Sequence, residues 1–205
     1  MLDVKLAQQA LEKTADLLDS WRIKYWIDSG TLLGAYRDKN LIPYDHDIDV
    51  RLLPGQIPEE KMPDFVKDLW GIGYRVLIQN PGKRAQVLCV DKNEVLLDLK
   101  FAFQDKNLIW IYIWQSAGCE EEPVVHAYPR RFFEKMGEID LLGRKYPTPT
   151  PIEKYLEYHY GEWQEFKKRP EQAEETDLIW DYLKHPPCAL TVKELAQKRA
   201  ELGVA

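Results

Sequence analysis

Residues 25–37 read Tyr25-Trp26-Ile27-Asp28-Ser29-Gly30-Thr31-Leu32-Leu33-Gly34-Ala35-Tyr36-Arg37, and shortly afterwards the chain continues Leu41-Ile42-Pro43-Tyr44-Asp45-His46-Asp47-Ile48-Asp49. Tyr25-Trp26-Ile27 is a short β-type run, Asp28-Ser29-Gly30 a tight turn, and residues 31–37 have the apolar spacing of a helix. Strand, turn and helix follow one another without a linker. Pro43 stops any helix. Beyond it Ile48, Val50 and Leu52 alternate with Asp47, Asp49 and Arg51, the period-two pattern of a half-buried strand with one charged and one apolar face.

Asp47 and Asp49 are two apart on that strand, so their carboxylates leave the same face roughly 7 Å apart along the backbone and can converge on one hard cation. Mg²⁺ takes oxygen ligands in octahedral geometry, commonly one or two carboxylates together with substrate phosphates. Asp45 has the same parity and is a further candidate ligand. The bland alternative is a solvated acidic edge, but three like charges on one face repel one another without a cation. A calcium loop of the EF-hand kind opens the same way, yet it fails here: Val50 stands where its glycine belongs and Gln56 where its bidentate glutamate belongs.

Ser29-Gly30-Thr31 lies where a strand gives way to a helix, so its backbone N–H groups and the helix dipole face any phosphate placed there. Such a triplet is usually an ordinary turn. Here an acidic strand follows within one helix and one loop, which brings an anion site and a cation site together. Arg37 and Lys39, at the far end of the helix, are basic candidates for the same phosphate or plain surface charges. Asp98 is the third candidate carboxylate. In the strand expected over 95–103, Val95, Leu97, Leu99, Phe101 and Phe103 share one face, and Leu96, Asp98, Lys100 and Ala102 the other. An aspartate in so apolar a stretch requires a metal, a basic neighbour such as Lys100, or solvent. Lys100 is also a candidate substrate contact.

Outward from this block, residues 4–21 carry apolar positions at helical spacing, and residues 64–70 form a second helix ended by Gly71 and Gly73. Strands are expected over 85–90, 95–103 and 108–114. Asp91-Lys92-Asn93 and Asp105-Lys106-Asn107 would be the turns of a meander, because Asp and Asn tolerate turn and left-handed conformations. The chain reads as irregular after Gly118. Residues 147–151 are a stiff proline-rich segment before a helix over 152–160, which Gly161 ends. Residues 164–176 are charged, and 191–202 read as a last helix with Thr191 as N-cap and Glu194 completing a capping box. The expectation is one domain over 1–205, with 164–205 as a helical C-terminal extension.

The 205 residues are 45% hydrophobic and 30% charged, globular values that exclude a disordered chain. A net charge of −6 and a pI near 5.4 leave no electrostatic footprint for nucleic acid. Cys89, Cys119 and Cys188 are far apart without a CxxC pair, which suits reduced thiols and, with no signal-peptide pattern or membrane-length apolar run, a cytoplasmic location. His126, His159 and His185 show no ligand spacing, and a zinc site from Cys119 and His126 lacks further partners. Tyr155, Tyr158, Tyr160 and Trp163 read as core and rim packing residues, with one of them a candidate to stack on a nucleotide base.

The block from Tyr25 to Arg37 with Leu41 to Asp49 resembles the signature of the LicD family, relatives of fukutin and fukutin-related protein. Pro151-Ile152-Glu153-Lys154-Tyr155-Leu156 through Tyr160-Gly161 resembles the family's closing helix, so the likeness reaches about Trp163. Tyr44 and His46 depart from the usual pattern, and His46 points away from the aspartate face of a regular strand. The resemblance implies an α+β nucleotidyltransferase fold of the polymerase-beta type, a mixed sheet flanked by helices. It also implies transfer of a phospho-alcohol, such as phosphocholine or ribitol phosphate, from a cytidine diphosphate carrier to a sugar or glycan hydroxyl. Gly30 and Thr31, beside Ser29, fall in its nucleotide-phosphate turn, Asp47 and Asp49 are its metal pair for Mg²⁺ or Mn²⁺, and Asp98 is its third carboxylate, either general base or metal ligand. Transfer of a nucleoside monophosphate from a triphosphate, or nucleotide binding without turnover, are the alternative readings.

Overall fold

The structure, a computed structural model, describes residues 2–79, 86–113, 124–164 and 188–202. Its backbone contacts divide into two units, Met1–Phe103 with Gly137–Thr148 and Gln104–Met136 with Pro149–Ala205.

The first unit opens with α1, Val4–Ser20, whose N-cap Asp3 accepts a hydrogen bond from the Leu6 N–H at 3.0 Å. Ala7, Ala10, Leu11, Thr14 and Leu18 form its buried stripe. Then come β1 (Tyr25–Ile27), α2 (Ser29–Arg37), β2 (Asp47–Leu52), α3 (Met62–Gly71), β3 (Tyr74–Gln79), β4 (Gln86–Asp91) and β5 (Leu96–Phe101). The five strands form one mixed sheet in the order β1-β2-β5-β4-β3, in which β2 and β5 run parallel and the other pairs antiparallel. The hairpin β9 (Gly137–Leu141) and β10 (Arg144–Thr148) completes the unit. Arg144 ties it to α1, at 2.7 Å from Asp16 and 3.1 Å from Asp19.

The parallel pairing positions the site. Asp49 lies beside Asp98 and Arg51 beside Lys100 in the ladder. Neighbours in register point to the same face, so Asp47, Asp49, Arg51, Asp98 and Lys100 share one side of the two central strands. Ile48, Val50, Leu52, Leu97 and Leu99 share the other, and all are fully buried. The alternation read from residues 47–52 is thus the division between the core and the charged face.

Gly34, in α2, sits under the loop that leads to β2. A Cβ there would meet the Asn40 carbonyl oxygen at 2.6 Å and Ile42 Cγ1 at 3.0 Å, while the Gly34 carbonyl accepts from the N–H of Asp38 at 2.9 Å. Backbone cannot yield as a flexible side chain does, so Gly34→Ala is expected to cost about 1–3 kcal/mol in urea unfolding. Unchanged stability would show that the loop moves aside without penalty.

The second unit holds an antiparallel sheet in the order β11-β8-β7-β6, built from β6 (Phe103–Gln104), β7 (Leu108–Ile113), β8 (Val124–Pro129) and β11 (Ala189–Thr191). With it are α4 (Ile152–Tyr160), ended by Gly161, and α5 (Val192–Glu201), with the capping box of Thr191 and Glu194 in place. Tyr128 stacks on Tyr155 at 4.9 Å, with Phe132 and Phe133 edge-on to Tyr155.

The expected meander is corrected. β4 and β5 form a hairpin at Asp91, whose Oδ1 accepts from the N–H groups of Asn93 and Val95. The strand expected over 95–103 breaks at Ala102, whose N–H donates to the Leu52 carbonyl, and β6 and β7 belong to the other sheet. Asp105 serves that second turn as Asp91 serves the first, accepting from Asn107 and Leu108. The segment read as irregular after Gly118 contains β8, β9 and β10, and β3 was not expected at all. The charged residues 165–176 lie outside the described residues. Among the described residues no helix is long and apolar enough to cross a membrane.

Candidate active site

Asp47 and Asp49 on β2 and Asp98 on β5 each offer a carboxylate oxygen, and these atoms lie within 4.8 Å of one another. Asp49 and Asp98 are buried, while Asp47 is partly exposed at the start of its strand. Beneath them lies Arg51, 1% exposed. Its Nη2 is 2.6 Å from Asp49 Oδ1, its Nη1 3.4 Å from Asp98 Oδ2 and its Nε 3.3 Å from Asp28 Oδ2. Nη1 also donates to the Asp98 carbonyl at 3.0 Å. Lys100 Nζ, itself buried, is 2.8 Å from Asp98 Oδ2. The basic partner that Asp98 requires is therefore Lys100 together with Arg51, and the Lys100 ammonium is engaged there.

Four carboxylates, those of Asp28, Asp47, Asp49 and Asp98, face two cations. The imbalance shows in the acidity of Asp47 and Asp49. Burial, then the charges of Asp45 and Asp98, push the Asp47 carboxyl up to about 7. Burial and Asp47 push Asp49 well above the ordinary carboxylate range, against the opposing pull of Arg51. An added cation would relieve both. An all-oxygen, anionic donor set with this excess of negative charge fits a hard divalent ion.

The turn before α2 is locked to the same strand. The Asp28 N–H donates to the Asp49 carbonyl at 3.1 Å, and the Asp49 N–H donates to Thr31 Oγ1 at 2.9 Å. Thr31 is thus a clamp on the Asp49 peptide. Ser29 has φ +45°, a left-handed conformation that costs a non-glycine residue about 1 kcal/mol or more, and its Oγ lies 3.4 Å from Arg51 Nη2. Asp45 does not join the other three carboxylates. A Cβ on Gly30 would collide with Asp45 Oδ2, so the side chain lies against the first turn of α2, where the helix dipole favours a negative charge. The close approach that glycine permits is, in this structure, an approach of Asp45. Arg37 is not brought to the carboxylates by any contact seen: its Nε and Nη2 donate to Asp38, both at 2.7 Å, at the opposite end of α2 from Gly30. His46 is exposed.

Arg51 and Asp28 are the two residues that sequence reasoning missed. Arg51 shares the parity of Asp47 and Asp49, and that parity was the available signal. Asp28 read only as a turn residue, although its side chain is fully buried against Arg51.

The parallel pair β2–β5 thus carries carboxylates on one face, with a turn and helix clamped to it. The chain belongs to the LicD family: residues 22–151 match the family described as LicD/FKTN/FKRP, nucleotidyltransferase domain. It is 28% identical over 168 residues to the uncharacterized protein RP689 of Rickettsia prowazekii (strain Madrid E), an alignment covering 77% of this chain and 55% of that one. It is 30% identical over 187 residues to the ribitol-5-phosphate transferase FKTN of Mus musculus, covering 89% of this chain and 36% of that one. The chain thus spans about half, or less, of the length of these curated relatives. Among solved structures it is similar to the lincosamide antibiotic adenylyltransferase LnuA with lincomycin bound, with a TM-score of 0.48 and 16% identity over 83% of this chain and 91% of the other.

Proposed function

We propose that the chain is a divalent-cation-dependent transferase that moves a phospho-alcohol, of the ribitol phosphate or phosphocholine kind, from a cytidine diphosphate carrier to a sugar or glycan hydroxyl. The observation that carries this reading is the convergence of Asp47, Asp49 and Asp98 beside the start of α2, in a chain of the LicD family. Asp47 and Asp49 would hold Mg²⁺, or Mn²⁺ in its place, with Asp98 beside them. Such an ion, when bound, neutralises charge on the diphosphate.

The chain's own groups supply the rest. Backbone N–H groups of the turn at Ser29, Gly30 and Thr31 would be the donors for the diphosphate, which there takes the place of the Asp45 carboxylate against Gly30. Arg51 fixes Asp49 and Asp98 in place, and Lys100 fixes Asp98 from the side. Asp98 takes the proton of the acceptor hydroxyl. The acceptor oxygen bonds to the phosphorus that bears the alcohol, the bond from that phosphorus to the bridging oxygen breaks, and cytidine monophosphate leaves with the electron pair. Positioning and electrostatics carry the catalysis.

Incubation with CDP-ribitol or CDP-choline, Mg²⁺ and a sugar acceptor, followed by phosphorus NMR, tests the reading. The expected products are cytidine monophosphate and a new phosphodiester. Pyrophosphate from a nucleoside triphosphate would replace it with nucleotidyl transfer, and tight binding without turnover with a nucleotide-binding role.

The raised Asp47 carboxyl gives a pH dependence. Protonated Asp47 contributes stability that is fully present below the ordinary value of 3.8 and lost as pH rises through about 7. Bound Mg²⁺ requires the anion, so Mg²⁺ affinity rises over the window in which the ion-free protein loses stability. Apparent affinity, followed by thermal shift, is expected to be about tenfold higher at pH 8 than at pH 6. A flat response over that range would remove Asp47 from the site.

A further inference from the structure

In the second unit three buried side chains with a different donor chemistry meet. His126 lies within β8, paired with Ile111 of β7 on one side and Ala189 of β11 on the other. Cys188 immediately precedes β11, and its carbonyl accepts from the Ala127 N–H at 3.0 Å. The pairing puts Ala189 opposite His126, and Cys188 comes to the histidine from the residue just before β11 begins. His159, in the last turn of α4, completes the group. One ligand atom from each of the three residues lies within 4.8 Å of the others. His126 is 2% exposed, and His159 and Cys188 1% each.

We propose that His126, His159 and Cys188 form a transition-metal site whose resident ion is Zn²⁺. Two imidazoles and a thiolate are a borderline-soft donor set that suits Zn²⁺ and not Mg²⁺ or Ca²⁺, which take oxygen ligands. Around a tetrahedral zinc, bond lengths near 2.0–2.1 Å to nitrogen and 2.3 Å to sulfur put ligand atoms about 3.3–3.7 Å apart. In the structure the ligand atoms lie within 4.8 Å of one another, a limit somewhat wider than that spacing.

The surroundings match what a zinc-bound histidine needs. Tyr128 Oη is 2.9 Å from His159 Nδ1. With Nδ1–H donating to that oxygen, Nε2 is the nitrogen that coordinates, and the ring orientation is fixed from outside the ligand shell. Cys188 Sγ is 3.8 Å from the same Tyr128 oxygen. The site joins β8, α4 and the start of β11, and so closes the chain between His159 and Cys188, 29 residues apart. In sequence these residues have no motif spacing; they meet where β8, α4 and the residue before β11 come together.

The test uses the full chain purified without added metal. Elemental analysis is expected to give one zinc per chain. After removal of the zinc, titration with Co²⁺ is expected to give the visible bands of a tetrahedral site and the near-ultraviolet band of thiolate coordination. Cys188→Ser should abolish the thiolate band, and Tyr128→Phe should keep it while weakening Zn²⁺ binding by about 10–100-fold in a chelator competition. Asp49→Asn should leave both spectrum and affinity unchanged, which separates this site from the carboxylates. Absence of a thiolate–cobalt band in the folded wild-type protein would overturn the proposal, and that measurement stands even where a variant fails to fold. Zinc binding that survives Cys188→Ser but is lost in Asp49→Asn would also overturn it.

Discussion

Arg51→Met is expected to destabilise the protein by about 3–5 kcal/mol, a larger effect than most core substitutions. The methionine fills much of the volume of the arginine, so a cavity is not the cause. The cause is charge. Arg51 is 1% exposed and its guanidinium touches Asp28, Asp49 and Asp98 at once. Asp28, at the start of the anion turn, is fully buried. Removing the guanidinium that these carboxylates share leaves buried negative charge facing buried negative charge, which Lys100, placed on Asp98, offsets only in part. Part of the loss should return on lowering the pH, as carboxyls protonate, and part on adding Mg²⁺. Chemical denaturation across pH reads all three effects. A variant within about 1 kcal/mol of wild type would mean that water, rather than Arg51, solvates these carboxylates.

Asp98→Asn is expected to lower turnover by about 10²–10⁴-fold, the loss typical of a general base, while much of the Mg²⁺-dependent nucleotide binding survives. Asparagine keeps the size of the residue and the backbone carbonyl that accepts from Arg51 Nη1. The structure puts two cations on Asp98 Oδ2, Lys100 at 2.8 Å and Arg51 at 3.4 Å. Asp49, by contrast, contacts one guanidinium. That asymmetry fixes the orientation of Asp98 at the expense of some basicity, beside the pair proposed to hold the ion. Steady-state kinetics and a binding titration on the same folded variant separate the roles. If binding falls as it does for the Asp47 and Asp49 variants, Asp98 is a third metal ligand.

Much of this site is legible in the sequence because it rests on local periodicities. The alternation of residues 47–52 places Asp47 and Asp49 on one face whatever the partner strand, and the same logic puts Asp98 opposite Leu97 and Leu99. The capping box at Thr191 and Glu194 and the end of α4 at Gly161 are equally local, and both appear where the residues specify them. What escapes is non-local. Nothing within residues 95–114 says that the chain leaves one sheet at Ala102 and enters another, since both Asp-x-Asn turns have the same chemistry. β9 has only five residues, and its alternation of Glu138 and Asp140 with Ile139 and Leu141 is too short to outweigh the glycines and charges around it. Arg51 reads as one more polar position until the parallel register sets Asp98 and Lys100 beside it. Arg37, which sequence position made a candidate phosphate contact, is engaged by its own neighbour Asp38, a contact that no periodicity announces.

The central claim is that Asp47 and Asp49 hold a divalent ion on which substrate binding depends. Calorimetric titration of Mg²⁺ and a CDP-alcohol into the wild-type protein and into Asp47→Asn and Asp49→Asn tests it directly. Both variants are expected to remain folded, because each removes one charge from a crowded anionic group whose members burial and mutual repulsion already hold above the ordinary carboxylate range. Metal-dependent binding of the CDP-alcohol is expected in the wild type and is expected to fall sharply in both. Binding of Mg²⁺ and nucleotide at wild-type affinity in both folded variants would contradict the account.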